Sequence, residues 1–524
     1  MKHSPNHQIT KSPNRALGAV VMAAGLGKRM KSKLAKVLHP VAGRPMVLYG
    51  VDLAQQLAGE HVAVVVGYQG KDVRAAIEAS DPRQPVMIVE QAQQLGTGHA
   101  VQQARDMFRR LGKTLSTYVI LNGDTPLLQA ETVQALLQSH RDERAAVTLL
   151  TATVDDPAGY GRVVRAKDGR VQKIVEDRDA AGAEKQIHEI NVGTYVMDGP
   201  FLSEALDKLQ PRNAQGEYYL TDVVALAVER GLRVSALAVS ETEGMGINTR
   251  GQLAAAEQAI RLRICAYWMQ EGVTLRNPAT TSIDADVVIG RDTVIHPEVT
   301  LEGRTTIGED CIVRSHTRIS DSVLGHRVVV LDHCVVRESR LEDDAAIGPF
   351  VHLRPGAVLR RAAKVGNFVE MKKAELGEGS KANHLSYLGD ATIGKGVNIG
   401  AGTITCNYDG HKKHETVIGD DVFVGSDVQF VAPVTIGKGA VIAAGATITT
   451  DVPPDTLAIA RAAQVNRPGW ASRQRALNRE ASGVKREATS QPFTPDASRL
   501  TKARKSALIS KKSRRVVSRK GAKG

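Results

Sequence analysis

The chain of 524 residues is poor in aromatics, with Phe, Trp and Tyr together only 4% of it. Any core must therefore rest on Val, Ile, Leu and Ala. Its four cysteines, Cys265, Cys311, Cys334 and Cys406, lie far apart and none belongs to a C-x-x-C pair. A disulfide framework and a thiolate zinc site are thereby excluded, and free thiols in a reducing compartment are expected. No run of about 18 apolar residues occurs, which excludes a membrane-spanning helix. The opening segment MKHSPNHQITKSPNR lacks the apolar stretch of a secretory leader, so the expected location is cytoplasmic.

Positive charge is present in excess, with a formal net charge of +13. It is not spread evenly. Of 69 Lys/Arg and 56 Asp/Glu, 16 and 3 respectively fall in residues 471–524, which leaves 53 of each in residues 1–470. The body is formally neutral and gives no reason to expect a nucleic-acid partner. The basic tail is expected to be a disordered, solvated extension whose partner the sequence does not name.

From Leu17 the chain alternates β-branched runs (GAVVMAA, HVAVVVGY, PVMIVE, STYVILNGD) with helical stretches such as GHAVQQARDMFRRL. That alternation predicts a Rossmann-like α/β layer on a mostly parallel sheet. RGQLAAAEQAIRLRICAYWMQEG reads as one long helix joining two domains. Beyond it apolar residues recur every six positions in three registers: Ile283 to Ile319, Ile347 to Met371, and Ile418 to Ile448. Such a period fits neither an α-helix nor an alternating strand, but it fits a β-solenoid with one short strand and one corner per hexapeptide. A β-sandwich with this spacing by chance is the weaker alternative. The repeat breaks at NYDGHKKHETV, predicted to be an extruded loop.

Two constellations suggest chemistry. Met22-Ala-Ala-Gly-Leu-Gly-Lys-Arg-Met30 follows a strand, and its glycines let backbone N–H groups approach a phosphate. Arg29 and Lys36 add cations for phosphoryl oxygens. No G-K-[ST] ending follows, so this is not a Walker loop. Asn122-Gly123-Asp124 ends an apolar strand, where an α/β sheet places ligands, and the Asp124 carboxylate can hold Mg²⁺. In the second half, His384 stands at a polar corner of the solenoid. A histidine, with a pKa of about 6.5, can take a proton from an amine. Arg354, Lys372 and Tyr387 supply the donors that a sugar phosphate needs. Taken singly, Asp124 would read as a turn residue and His384 as a hydrogen-bonded corner histidine.

MAAGLGKRM-KSKLAKVLHPVAGRPM, QAQQLGTGHA, LNGDTPLL, GYGRVV, KIVEDRDA, EINVGTYV, EYYLTD and GINTR resemble the sugar-nucleotide pyrophosphorylases. GPFVHLRPGA, KVGNFVEMKKAELGEGSKANHLSYLGD, NIGAGTITCNYDG and GDDVFVGSD resemble the hexapeptide-repeat acyltransferases. The two together, over residues 17–470, resemble the bifunctional N-acetylglucosamine-1-phosphate uridylyltransferase / glucosamine-1-phosphate acetyltransferases. That resemblance implies a left-handed parallel β-helix, a homotrimer with acetyl-transfer sites between coils, and synthesis of UDP-N-acetylglucosamine. It implies catalytic roles for His384, Arg29 and Lys36, and a UTP and sugar-nucleotide site of Ala23, Ala24, Gly25, Lys36, Gln91, Gly96, Thr97, Gly161, Glu176, Asn191 and Asn248. It further implies Mg²⁺ on Asp124 and Asn248, and glucosamine 1-phosphate on Arg354, Lys372, Tyr387 and Asn398. Acetyl-CoA would meet Ala401, Asn407, Tyr408, Ser426, Ala444 and Arg461.

Expected boundaries are 1–16 (extension), 17–248 (nucleotidyltransferase), 249–272 (linker helix), 273–470 (β-helix) and 471–524 (tail). Three positions depart from the family pattern. Lys28 replaces Thr, Asn383 replaces the Gly before His384, and Ala35 replaces a Pro, where looser positioning of Lys36 is expected. Two competing readings are a nucleotidyltransferase whose coil is only a trimerisation scaffold, and a nucleic-acid binder acting through its tail.

Overall fold

The computed structural model describes residues 16–481 apart from Leu26. Residues 1–15 of the expected extension and the tail beyond residue 481 lie outside that range. Nine strands build the first sheet: β1 (Leu17–Ala23), β2 (Val62–Val66), β3 (Met87–Glu90), β4 (Thr117–Asn122), β5 (Val147–Thr153), β6 (Arg162–Arg165), β7 (Val171–Val175), β8 (Glu189–Asp198) and β9 (Val234–Val239). Their order is β9-β5-β8-β4-β1-β2-β3, with the hairpin β6–β7 attached to β8. Pairing is parallel along β4-β1-β2-β3 and between β9 and β5, while β8 runs antiparallel to both its neighbours. Helices α1 (Met46–Ala58), α2 (Gly70–Ala79), α3 (Thr97–Arg110) and α4 (Ala130–Asp142) alternate with the first strands. α5 (Gly199–Leu206) and α6 (Asp222–Glu229) follow β8. The valine-rich strands β1 and β2 are buried almost throughout, as central parallel strands must be. The carboxyl ends of β1 and β4 carry the glycine turn and the Asn122-Gly123-Asp124 segment, respectively.

The expected joint is α7 (Arg250–Gln270), capped by Thr249, whose side chain accepts from the Gln252 N–H. Ala256 and Ile260 pack with Val41, Met46, Leu127 and Ile247, while Cys265, Ile264 and Trp268 pack on the coil core. Arg261 reaches from this helix to Asp284 at 3.2 Å, and the Ala285 N–H donates to the Ala42 carbonyl at 2.9 Å. One helix thereby carries apolar contacts into both cores.

The second half is a parallel β-helix. Strand positions stack coil on coil in register, for example Thr300 on Arg318, Val335, His352, Glu370, Tyr387, Ile404, Gln429 and Thr447. The three hexapeptide registers belong to one continuous stack. Between them the inward residue recurs after five positions instead of six, at Ile319 to Leu324, Val336 to Leu341, Met371 to Leu376 and Leu388 to Ile393. All four short steps fall at the same corner. There a residue with positive φ closes the turn: Asp321 (47°), Glu338 (44°), Lys373 (45°) and Asp390 (46°). The inward Ile, Leu and Val side chains are almost fully buried, each stabilising the coil by roughly 1.5–3 kcal/mol relative to exposure.

The other corners are also tight. One column of corner residues, His316, His333, Phe350, Phe368 and Leu385, is exposed and adopts φ of 45–59°. Its rings stack at 4.8, 4.9 and 5.2 Å between centroids. The extruded loop lies where predicted, pinched by an antiparallel bridge between Tyr408 and Lys413.

Contacts divide the chain after Arg461, so the expected coil boundary at residue 470 falls inside the second unit. Within that unit, Trp470–Ala481 forms an α-helix. The start of the segment expected to be disordered is therefore helical, in keeping with its Ala, Arg, Gln and Leu content. Among the described residues, no helix is long and apolar enough to cross a membrane.

Candidate functional site

At the end of β1, Ala23 and Ala24 are buried, whereas Gly25 is exposed with open space on its α-carbon. Gly27 has φ +59°, and a Cβ there would stand 2.6 Å from the Lys36 Cβ. Only glycine lets this turn fold so closely over Lys36. The Lys36 ammonium forms an ion pair with Asp124 and donates to the Asn248 Oδ1 at 3.1 Å. Lysine, carboxylate and amide oxygen from three distant parts of the sequence thus converge on one point. Backbone contacts fix the group: the Gly123 N–H donates to the Met22 carbonyl, the Ile247 N–H to the Asp124 carbonyl, and the Asn248 N–H to Gln252 Oε1.

This donor set suits Mg²⁺, which takes few protein oxygens and completes its shell with phosphate and water. Among the described residues, no cluster of three or more His, Cys, Asp or Glu offers an all-protein cage. Arg29 is exposed and its guanidinium lies against Gly159. The adjacent Tyr160, which sequence reasoning missed, has its hydroxyl pushed above the usual range by burial and then by the Asp124 charge.

The residues expected at the base-binding end form a second group. Gln91 donates to the Gly96 carbonyl at 3.0 Å, and the Thr97 hydroxyl accepts from the Leu220 N–H at 3.0 Å. A Cβ on Gly96, at φ +108°, would lie 2.6 Å from the Tyr218 carbonyl. The residues expected at the sugar end are a third group, because a Cβ on Gly161 would lie 3.6 Å from Glu176 Oε2 and 3.7 Å from the Asn191 Cβ. Glu176 accepts from the Thr221 hydroxyl at 3.0 Å, and burial raises its carboxyl above the usual range. Asn191 donates to the Tyr195 hydroxyl at 2.6 Å.

Ala35 is buried with φ −54°, inside the window a proline ring would impose. The loosening expected at Lys36 is thus not apparent in its backbone. The side chain of Lys28 lies outside the described residues.

On the coil, His384 is exposed and its Nδ1 sits 2.8 Å from Asn367 Oδ1, one coil below in register. Asn367 was not singled out from the sequence, although KVGNFVEMKK contains it. Strand register places His384, Ala401, Ser426 and Ala444 in one row, each three residues before Tyr387, Ile404, Gln429 and Thr447. The Asp427 N–H donates to the Ala401 carbonyl at 2.7 Å and the Gly445 N–H to the Ser426 carbonyl at 2.8 Å. Arg461 closes the row by donating to the Ala444 carbonyl. Steps of about 4.8 Å give the row a length of about 14 Å.

Around the corner lies the charged cluster. Arg354 pairs with Glu370 at 2.7 Å, and Tyr387 lies in register on Glu370. Lys413 and then Arg354 push the Lys372 ammonium below its usual range. Asp390 accepts from Asn407 and pairs with Lys413 at 3.5 Å. The extruded loop is held at its base by its own coil. Tyr408 is exposed and bonds only within the loop, to the Gly410 carbonyl. Asn398 is half-buried on its strand, and no hydrogen bond ties its side chain to the cluster. Asn383 fits a regular strand, so its departure from glycine strains nothing there. Cys406 is a free, half-buried thiol.

A nucleotidyl transferase family profile matches residues 18–272, and a bacterial transferase hexapeptide profile (six repeats) matches residues 286–321 and 415–450. The chain is 50% identical to the Bifunctional protein GlmU of Geotalea uraniireducens over 455 residues, covering 87% of this chain and 98% of the relative. It is also 50% identical to that of Trichlorobacter lovleyi over 458 residues (87% and 98%) and to that of an Exiguobacterium species over 456 residues (87% and 99%). With that identity over nearly the full length of these relatives, the chain belongs to the family of the bifunctional protein GlmU.

Proposed function

We propose that the protein makes UDP-N-acetylglucosamine in two steps, acetylating glucosamine 1-phosphate on the coil and then joining the product to the uridylyl group of UTP in the α/β domain. One observation carries the two-site reading over a nucleotidyltransferase with a scaffold coil. His384 shares its row with Ala401, Ser426 and Ala444, and the same stack of coils carries the Arg354–Lys372–Lys413 cations. Scaffolding would need neither.

In the acetyl step the amine of glucosamine 1-phosphate attacks the thioester carbonyl of acetyl-CoA, the C–S bond breaks, and CoA leaves. His384 takes the amine proton through Nε2 while Asn367 holds Nδ1–H, which fixes the tautomer that presents a base. Arg354, Lys372 and Tyr387 hold the sugar phosphate, with Asn398 at the edge. Acetyl-CoA lies along the row, with Asn407, Tyr408 and Arg461 at its margins.

In the uridylyl step a phosphate oxygen of N-acetylglucosamine 1-phosphate attacks the α-phosphorus of UTP in line, and pyrophosphate leaves. Backbone N–H groups around Gly25 and the side chains of Arg29 and Lys36 stabilise the charge gathering on the phosphoryl oxygens. Gln91, Gly96 and Thr97 hold the uridine, and Gly161, Glu176 and Asn191 the sugar. Mg²⁺, held by Asp124 and Asn248, supplies Lewis-acid neutralisation of phosphate charge when bound.

Lys36 occupies the point where those oxygens converge, so a bound cation would turn its ammonium toward phosphate. The enzyme acts in the cytoplasm as a homotrimer. The exposed column of Phe350, Phe368 and Leu385, 47%, 55% and 62% accessible, supports the trimer as the surface a neighbouring coil covers.

The test is a coupled assay with glucosamine 1-phosphate, acetyl-CoA, UTP and Mg²⁺. His384→Ala should lower CoA release by about 10²–10⁴-fold and leave pyrophosphate release from pre-acetylated sugar unchanged. Asp124→Ala should do the reverse. Loss of both reactions from either change refutes the division.

A further inference from the structure

A cleft of about 540 Å³ opens at the beginning of β4, the strand whose other end leads into Asn122-Gly123-Asp124. The last turn of α3 and the first turns of α5 frame it. Arg109, Lys113, Tyr118, Ser203, Glu204 and Asp207 supply its polar lining. No residue proposed for either reaction reaches it.

The two carboxylates in this lining are already matched. Glu204 pairs with Lys208 at 3.0 Å and with Arg230 at 2.9 Å, and Asp207 pairs with the buried Arg105 at 2.7 Å. The cations are matched less closely. Arg109 forms no ion pair with any described residue, and Lys113 pairs with Glu60 at 3.5 Å. Tyr118, 3% exposed, lines the cleft, and its hydroxyl has no hydrogen-bond partner among the described residues. Burial raises that hydroxyl above the usual range, and the Arg109 charge opposes the shift. With Arg109 and Lys113 in the same lining, the cleft complements an anion.

We propose that this cleft is a second anion site, which takes a small phosphate-bearing molecule held by Arg109, Lys113 and the Tyr118 hydroxyl. The guanidinium offers a bidentate fork to phosphate oxygens, and the lysine a point charge. The volume lies within the range of small-molecule pockets. Another conceivable occupant is the chain's own N-terminal segment, because the Ser116 N–H donates to the Ala16 carbonyl at 2.9 Å and residues 1–15 lead from there. That segment holds Lys2, Lys11 and Arg15 and no acidic residue, so it is a poor match for two cations.

The test is hydrogen exchange on the full chain, titrated with inorganic pyrophosphate and read on peptides spanning residues 109–118 and 199–207. Pyrophosphate should slow exchange there. In Arg109→Gln/Lys113→Gln the concentration needed should rise at least about tenfold, while peptides covering residues 22–36 keep their own response. Tyr118→Phe, which removes one hydroxyl and keeps the ring, should weaken binding less. The proposal is overturned if pyrophosphate protects only residues 22–36, or if cleft protection survives unchanged in the double variant. It is equally overturned if the cleft is protected without pyrophosphate and loses that protection when residues 1–15 are deleted.

Discussion

Replacing Asn367 by aspartate puts a negative charge where a neutral amide oxygen now meets His384 Nδ1 at 2.8 Å. The histidine is exposed, so the dielectric is close to that of water. Two unit charges about 4 Å apart then interact by about 1 kcal/mol, equivalent to about 0.7 of a pH unit. The imidazolium is the form stabilised, and the reaction needs the neutral base. The acidic limb of the pH–rate profile for acetyl transfer should therefore move upward by about that amount, and the displacement should shrink with added salt. Asn367→Ala removes the acceptor instead, and a lost neutral hydrogen bond of about 1 kcal/mol lowers kcat about fivefold. The assay is CoA release with a thiol reagent across the pH range, with uridylyl transfer as the internal control. A merely structural role for Asn367 would lower the rate of both variants without moving the limb. If the aspartate profile superposes on that of the parent protein, the positioning argument fails.

Other expectations rest on equally local features. Burial raises the Glu176 carboxyl, so ionising it opposes folding, and its stabilising contribution declines as pH rises from the unfolded carboxylate range through the higher folded value. Glu176→Gln should make stability less pH-dependent and raise it near neutrality, measured by thermal unfolding, while weakening the KM for the sugar phosphate. Ala35→Pro should leave the KM for UTP within about twofold, since φ already suits a proline ring; a large rise would show that the ring clashes in this buried site. Gly290→Ala places a Cβ 2.5 Å from the Gly308 carbonyl carbon of the next coil and should destabilise the coil by about 1–3 kcal/mol. Denaturation would report this, with uridylyl transfer by the α/β domain retained under native conditions.

The hexapeptide pattern was legible because each inward Ile, Leu or Val must reach a narrow axis, so the spacing survives in the sequence. The continuity of the stack was not, because a corner that loses one residue resets the phase while leaving the coil intact. Asp321, Glu338, Lys373 and Asp390 make those short corners with a backbone conformation that no simple residue pattern announces. Lys36, Asp124 and Asn248 were each legible from glycine turns, a strand end and family resemblance. The resemblance also implied that Asp124 and Asn248 meet on one cation; that Lys36 joins them was not legible, since it depends on the sheet order and on α7 starting at Arg250. Asn367, Tyr160 and Asp390 escaped notice because an Asn, Tyr or Asp gains its role from what it faces.

By itself the sequence determined two unlike halves, a neutral body with a basic end, and the residue types that phosphate and acetyl chemistry require. These are properties of composition and period, which local chemistry imposes on any chain of this kind. The tertiary structure decided which residues stand together. Parallel stacking brought His384, Ala401, Ser426 and Ala444 into one row although up to 25 residues separate neighbours in the chain. It also left Tyr118 and Arg109 lining an open cleft with no hydrogen-bond or ion-pair partner for either among the described residues. Proximity across a fold is set by how strands pair and how cores close, and neither is written in the spacing of the residues that meet.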